Sequence, residues 1–285
     1  MSYSQTLQEI RNVHYSYQRK DNWDNFKINI DDFKSNPYTF LKWRLYLETS
    51  SLILYVLVRS NIKPNQISLF YAFLGILTLL FLGLPFEDRI FLYIGLFIAF
   101  SKTIIDACDG YIARLKNQKS ISGFVLDGYG AHINAIGFQS GLGFYLANNQ
   151  NDIFFYLVFL IPFFYAVKLK TFAYSTLLNE IIENKKNFGE KHPIQKGDEN
   201  EKISKKFSND TLKKFYNIFS SILDDRARSV DFIILLFIFE LNFNFILIKY
   251  VFILLIIKHS IISLINIIII SNNKWLENKI NKIKD

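Results

Sequence analysis

The stretch 66–84, QISLFYAFLGILTLLFLGL, decides the fold class because it stays apolar over the length of a bilayer crossing. A membrane-spanning helix needs about 20 largely apolar residues. Five further apolar blocks follow, at 90–105, 124–146, 153–167, 230–241 and 246–270. The blocks lack the alternation of a barrel strand, and only helices or closed barrels satisfy the backbone in lipid. The sequence therefore predicts an all-α integral membrane protein with six transmembrane helices.

The formal net charge of +8 invites a nucleic-acid partner, but its distribution indicates membrane topology instead. Lys and Arg concentrate in three segments, 114–119, 168–228 and 272–285. The short connections 84–89 and 147–152 carry a single basic residue between them. This asymmetry follows the positive-inside rule, so we expect a multi-pass protein of the inner or cytoplasmic membrane with both termini in the cytoplasm. No aromatic–basic module or finger spacing accompanies the charge, and we expect no nucleic-acid partner.

Composition also predicts how the chain is organised around these spans. Between 38 and 62 the apolar residues are interrupted by Lys42, Arg44, Glu48 and Arg59, which favours an amphipathic helix in the cytoplasmic interface over a span. The predicted parts are a polar cytoplasmic segment at 1–37 without a signal-peptide core, the interfacial helix at 38–62, a six-helix domain at 63–271 with a cytoplasmic insert at about 172–226, and a basic cytoplasmic tail at 272–285.

The second decisive stretch is DACDGYIARLKNQKSISGFVLDGYGAH, residues 106–132, which places charge at a predicted membrane boundary. Helical spacing of three and four puts Asp106 and Asp109 on one face of the second span, and a short loop brings Asp127 of the third span close. Acidic residues within a membrane are costly and usually functional. Three close carboxylates would repel one another, and a divalent cation such as Mg²⁺ or Mn²⁺ would remove that repulsion with all-oxygen ligands.

Small residues and one arginine accompany the carboxylates. Gly110, Ala113 and Gly123 leave room for a bulky ligand near the backbone, and Arg114 has the fork geometry that binds phosphate. The spacing thus indicates a metal-assisted phosphate site facing the cytoplasm. The alternative is a carboxylate–arginine cluster that only holds two helices together, because structural ion networks can imitate sites.

The pattern Asp106-x2-Asp109-Gly110-x2-Ala113-Arg114-x8-Gly123-x3-Asp127 resembles the signature of the CDP-alcohol phosphotransferases, also called CDP-alcohol phosphatidyltransferases. The family pattern is D-x2-D-G-x2-A-R, seven to nine residues, then G-x3-D-x3-D, and seven of its eight fixed positions match. The six-span layout, the interfacial helix and the element KPNQIS at 63–68 are also similar to the family. Motifs support the resemblance from about 38 to 147, and topology alone supports it over 150–270.

The resemblance implies a reaction and its participants. An acceptor alcohol or lipid would attack the β-phosphorus of a CDP-alcohol and release CMP, with two divalent cations, Mg²⁺ or Mn²⁺, as cofactors in phospholipid or polar-lipid synthesis. Membrane lipids and a second copy of the chain are further implied partners. The carried-over roles are metal binding for Asp106, Asp109 and Asp127, the CDP pocket for Gly110, Ala113 and Gly123, phosphate binding for Arg114, and a border of the nucleotide for Asn65 and Gln66.

The sequence departs from the family at the fourth aspartate, which is usually the general base and is Ala131 here. His132 is a candidate substitute base, yet it lies five residues beyond Asp127 and points roughly 140° away on a regular helix. Four explanations stay open: another base in a natural subfamily, a variant altered to trap substrate, a member that binds CDP-alcohol without turnover, or a bulge that brings His132 into the site. Besides an active enzyme and a protein that binds CDP-alcohol without turnover, a transporter is a third class of function, and the lack of broken, repeated helices disfavours it.

Overall fold

The protein is described by a computed structural model that covers residues 6–26, 29–34, 37–118, 120–166, 227–243 and 245–272. These residues form α-helices and no strand, as the sequence predicts. The helices are α1 (Leu7–Phe26), α2 (Pro37–Leu57), α3 (Pro64–Gly83), α4 (Ile90–Leu115), α5 (Ile121–Asn149), α6 (Ile153–Val158), α7 (Leu160–Ala166), α8 (Ala227–Phe243) and α9 (Ile248–Asn272). The predicted insert at about 172–226, and the predicted tail beyond residue 272, lie outside the described residues.

Three of the described helices are long and apolar enough to cross a membrane: α3, α4 and the part Ile248–Ile265 of α9. The helix α5 has 29 residues, but its glycines and polar positions lower its hydropathy, and α8 has 17 described residues. The fourth apolar block is divided into α6 and α7, because Pro162 has no N–H to donate to Val158, where α6 ends. The layout of six transmembrane helices stays a prediction.

A helix occupies much of the polar N-terminal segment, for which the sequence analysis assigned no secondary structure. A reciprocal capping box starts α1: the Glu9 backbone N–H donates to Thr6 Oγ1 at 3.2 Å, and the Thr6 backbone N–H donates to Glu9 Oε2 at 2.8 Å. The helix then packs against α2, where Arg11 meets Glu48 and His14 meets Ser50. The N-terminal segment is therefore built onto the rest of the fold.

The helix α2 presents an apolar row on its open side. Leu41, Leu45, Leu52 and Val56 are exposed and follow one another at helical spacing, while Leu47, Ser50 and Leu54 are among the buried residues. An exposed apolar row on a protein of this class suits contact with lipid. Its placement in a membrane interface stays a prediction.

Close helix packing fixes where α5 stands relative to α3. A Cβ added at Gly75 would approach the Asn134 backbone to 2.7 Å, and a Cβ at Gly137 would collide with the Gly75 carbonyl. Only glycine permits backbones to come this near. The crossing places the first turns of α5 beside the start of α3, where the candidate site lies.

The chain divides into two compact units, Met1–Gly141 and Leu142–Asp285. In the second unit, Glu240 of α8 caps α9, since the backbone N–H groups of Leu247 and Ile248 donate to Glu240 Oε2 at 2.6 and 2.7 Å. The residues from which the sequence predicts a site, Asn65 to His132, all lie in the first unit.

Candidate functional site

A cavity of about 330 Å³ lies in the first unit, where the last turns of α4 meet the first turns of α3 and α5. It brings together seven residues that the sequence analysis singled out and six that it did not. The predicted residues are Asn65, Asp109, Gly110, Ala113, Arg114, Gly123 and Asp127. The others are Tyr17, Pro64, Ser68, Gln118, Ser120 and Phe124.

Local sequence sets up the two helix starts at this cavity. Pro64 occupies the first turn of α3, and the Lys63 backbone N–H donates to Gln66 Oε1 at 2.9 Å. Gln66 is thus exposed and engaged in the helix cap, whereas Asn65 lines the cavity. At the start of α5, Ser120 Oγ accepts the Gly123 backbone N–H at 3.0 Å, which is an N-cap hydrogen bond.

Asp109 is a buried carboxylate with a defined donor. Its side chain is held by Ser68, whose Oγ donates to Asp109 Oδ2 at 2.6 Å. Both residues are largely hidden, with relative exposures of 8% for Asp109 and 2% for Ser68. This contact orients one carboxylate oxygen of Asp109, a residue that lines the cavity.

Asp106 and Asp127 lie close to each other across α4 and α5. Their carboxyl groups are near enough to share a hydrogen bond, and Asp106 also interacts electrostatically with Asp109 and Lys102. Lys102 stands one turn before Asp106 on α4 and is itself buried. Adjacent carboxyls of this kind need a shared proton or a cation to offset their repulsion.

The described residues contain no group of three or more His, Cys, Asp or Glu side chains already arranged to hold a metal ion. The donor chemistry nevertheless fits a hard divalent cation, because Asp106, Asp109 and Asp127 interact and all offer carboxylate oxygens. The carboxylate oxygens suit Mg²⁺ or Mn²⁺, and their convergence into a ligand set stays a prediction.

Arg114 is held flat against an aromatic ring. Its guanidinium carbon lies 3.7 Å from the centroid of the Tyr17 ring, a stacked cation–π arrangement. Gly110 makes room for this guanidinium, since an added Cβ would lie 3.3 Å from Arg114 Nη1. Gly123 makes room for the Asn65 side chain, since an added Cβ would lie 3.1 Å from Asn65 Oδ1.

The position of the family's fourth aspartate is outside the cavity lining. Ala131 and His132 are both exposed, and α5 runs through them as one continuous helix without a bulge. Asn134 on the same helix is buried and has a structural use, because its Nδ2 donates to the Tyr71 and Gly130 carbonyls at 2.7 and 3.0 Å.

Two of the six cavity residues that were not predicted, Ser68 and Tyr17, contact charged residues of the site. Ser68 belongs to the quoted element KPNQIS and falls one turn after Pro64, so the motif contained the signal. Tyr17 lies far from every motif in a segment predicted only to be polar. No pattern in the sequence indicates that it reaches Arg114.

Three long apolar helices and a polar cavity with carboxylates and an arginine suggest a helical membrane protein. Residues 61–161 match the family model described as CDP-alcohol phosphatidyltransferase. The match covers α3, α4 and α5, and with them every cavity residue except Tyr17. Comparison with curated protein sequences gives no significant match.

Proposed function

We propose that this protein transfers a substituted phosphate from a CDP-alcohol to an acceptor alcohol and releases CMP, in phospholipid or polar-lipid synthesis. The observation that supports this most is the cavity, which is lined mainly by residues 61–161 and combines carboxylates, one arginine and small residues within a single space. A diphosphate requires these three features together: charge neutralisation, directed N–H donors and room near the backbone.

Each wall of the cavity has a role in this proposal. Arg114 donates to the diphosphate, Gly110, Ala113 and Gly123 accommodate it, and Asn65 borders the nucleotide. The carboxylates of Asp106, Asp109 and Asp127 would hold two divalent cations, Mg²⁺ or Mn²⁺. Such cations, when bound, neutralise charge on the transferring group and on the CMP leaving group.

The membrane setting completes the proposal. Six transmembrane helices preceded by the interfacial helix α2 would place the cavity at the cytoplasmic boundary, where a soluble nucleotide and a lipid acceptor can meet. The basic segment after α4 supports this orientation. We include a homodimer in the proposal, and the family resemblance is the sole ground for it.

A second candidate function is CDP-alcohol binding without turnover. It is favoured by the exposure of Ala131 and His132 and by their position outside the cavity lining, because neither offers a base at the reacting hydroxyl. Losing a general base typically lowers a rate by roughly two to four orders of magnitude without abolishing binding.

The test is release of radiolabelled CMP from a panel of CDP-alcohols, including CDP-diacylglycerol and CDP-choline, by the purified full-length protein with Mg²⁺ or Mn²⁺. We expect release that stops with a chelator and returns when either cation is restored. CDP binding without release from any donor would favour the second function. Absence of both binding and release would overturn the two functions together.

A further inference from the structure

The cavity has one wall that does not belong to the matched domain. Tyr17 of α1 lines the cavity and stacks on Arg114 at 3.7 Å, although the family match begins only at residue 61. The helix α1 therefore contributes an aromatic side chain to the same space as the residues proposed to bind the diphosphate.

Several specific contacts hold α1 in this place. On α2, Glu48 Oε1 accepts from Arg11 Nη2 at 2.5 Å and from the Tyr15 hydroxyl at 2.7 Å. His14 is fully buried, and its Nε2 lies 3.0 Å from Ser50 Oγ. Tyr17 follows His14 by three residues and so lies nearly one turn along the helix, next to α4.

A second contact connects α1 directly to α4. The His14 ring meets the Tyr111 ring edge-on, with centroids 5.5 Å apart, and Tyr111 lies on α4 between Asp109 and Arg114. The helix thus touches α4 within one turn of the residues that line the cavity. Polar and aromatic contacts with α2 and α4 set the position of α1, and the position of α1 in turn places Tyr17 beside Arg114.

Stacking changes what Arg114 can do. An arginine at a solvent-accessible cavity has many rotamers, and an aromatic face against the guanidinium plane restricts them. The N–H groups lie in the guanidinium plane, so stacking leaves them directed outward and free of competition from the ring. An arginine held in this way needs less reordering when a diphosphate arrives.

We propose that Tyr17 is a positioning residue that holds the Arg114 guanidinium ready for the diphosphate, so that α1 forms a functional wall of the site. This inference rests on the proposed function, because it assigns the diphosphate of CDP as the group that Arg114 meets. Tyr17 acts through its ring and not through its hydroxyl.

The experiment compares Tyr17→Ala and Tyr17→Phe with the unaltered full-length protein, using calorimetric binding of CDP with Mg²⁺ and the KM and kcat of CMP release. We expect Tyr17→Ala to weaken CDP binding and raise KM roughly two- to tenfold, with kcat changed much less. Tyr17→Phe keeps the aromatic face and should behave like the unaltered protein.

Two controls separate positioning from general damage. Val13→Ala alters an exposed side chain of the same helix and should leave binding unchanged. In an Arg114→Ala background, Tyr17→Ala should add nothing further, because its partner is already gone.

Equal CDP affinity for Tyr17→Ala and the unaltered protein would overturn the inference, and so would a full additional loss in the Arg114→Ala background. A loss in Tyr17→Phe equal to that in Tyr17→Ala would also overturn it, by assigning the effect to the hydroxyl. If the unaltered protein binds CDP but releases no CMP, the transferase proposal fails while the binding comparison still decides the role of Tyr17.

Discussion

At the scale of single residues, the site depends on how its buried carboxylates are held. Ser68 is the donor that the structure assigns to Asp109, and it comes from a different helix. A buried acceptor that loses its donor pays a desolvation cost of about 1–3 kcal/mol. Residues that orient a metal ligand affect metal binding although they do not touch the metal.

We predict that Ser68→Ala raises the Mg²⁺ concentration needed for half-maximal CMP release by roughly 10- to 100-fold, because Asp109 loses its orienting donor. Ser68→Thr should restore most of the loss. Thr78→Val is the matched control on the same helix, since the Thr78 hydroxyl bonds only its own helix, at the Leu74 carbonyl, among the contacts described. An unchanged Mg²⁺ requirement in Ser68→Ala would contradict the role.

A second residue-scale prediction concerns the lost base. Position 131 lies one turn after Asp127 on a continuous helix, so Ala131→Asp should raise kcat for CMP release by roughly two orders of magnitude or more. His132→Ala should leave the rate unchanged, because His132 is five residues beyond Asp127 and points roughly 140° away from it on the regular helix α5. A rate that falls with His132→Ala and does not rise with Ala131→Asp would make His132 the base.

At the scale of elements, the docking of α1 and the crossing of α3 with α5 decide the shape of the cavity. The docking of α1 relies on buried His14 and on the Arg11–Glu48 ion pair, whose contribution is small because solvent screens it. The crossing of α3 with α5 relies on Gly75 and Gly137, and neither position has room for an added Cβ. The docking of α1 should therefore depend on pH, whereas the crossing of α3 with α5 should depend on side-chain size at its glycines.

Docking of α1 should weaken as the pH falls. Burial, assisted by the nearby positive charge of Arg114, lowers the pKa of His14 from 6.5 to about 4. Between these values an undocked helix takes up a proton that the docked helix excludes, so acid favours undocking by up to about 3 kcal/mol. Above pH 6.5 the docking is independent of this group, and below pH 4 the loss is complete.

Hydrogen exchange of residues 7–26, corrected for the intrinsic rate, measures this effect between pH 7 and pH 4.5. In His14→Gln the pH dependence should disappear, because Gln does not titrate yet can still bond Ser50. Equal pH dependence in both proteins would show that other groups control the docking.

Two glycines of α5 provide a matched pair for the helix crossing. Gly137→Ala should destabilise the protein by about 1–3 kcal/mol, because its Cβ would collide with the Gly75 carbonyl. Gly128→Ala should be neutral or slightly stabilising, since nothing lies within 4 Å of its added Cβ and Ala favours helix. Thermal unfolding in detergent compares the two variants, and equal melting temperatures would exclude a tight crossing.

At the scale of the whole molecule, the question is which side of the membrane each connection faces. The chain has a single cysteine, Cys108, which is buried, so introduced cysteines can be read separately once it is replaced by alanine. The apolar helices α3 and α4 should each cross once.

We predict that Asp88→Cys, between α3 and α4, and Gln118→Cys, between α4 and α5, react with an impermeant maleimide from opposite sides of sealed vesicles. Gln118 should react only from the cytoplasmic side, where the basic residues lie. Labelling of both positions from one side would contradict the crossing of α4 and with it the predicted topology.

Much of the site could be anticipated because its residues are close in sequence and their chemistry is distinctive. On α4, Asp109 is four residues before Ala113 and Gly110 is four residues before Arg114, so helical spacing alone predicts that the members of each pair are neighbours. The helical class could be predicted for a similar reason, since lipid admits few other backbone solutions. The count of crossing helices was harder, because Pro162 and the polar positions of α5 weaken the apolar signal.

The sequence by itself determined the all-helical class with long apolar helices, the motif that resembles the CDP-alcohol phosphatidyltransferases and the gap at Ala131, since each depends on residue type and on spacing within a helix. Only the tertiary structure decided that Ser68 donates to Asp109 and that Tyr17 stacks on Arg114. These contacts join residues on different helices, and helix periodicity carries no information about which faces of distant helices meet.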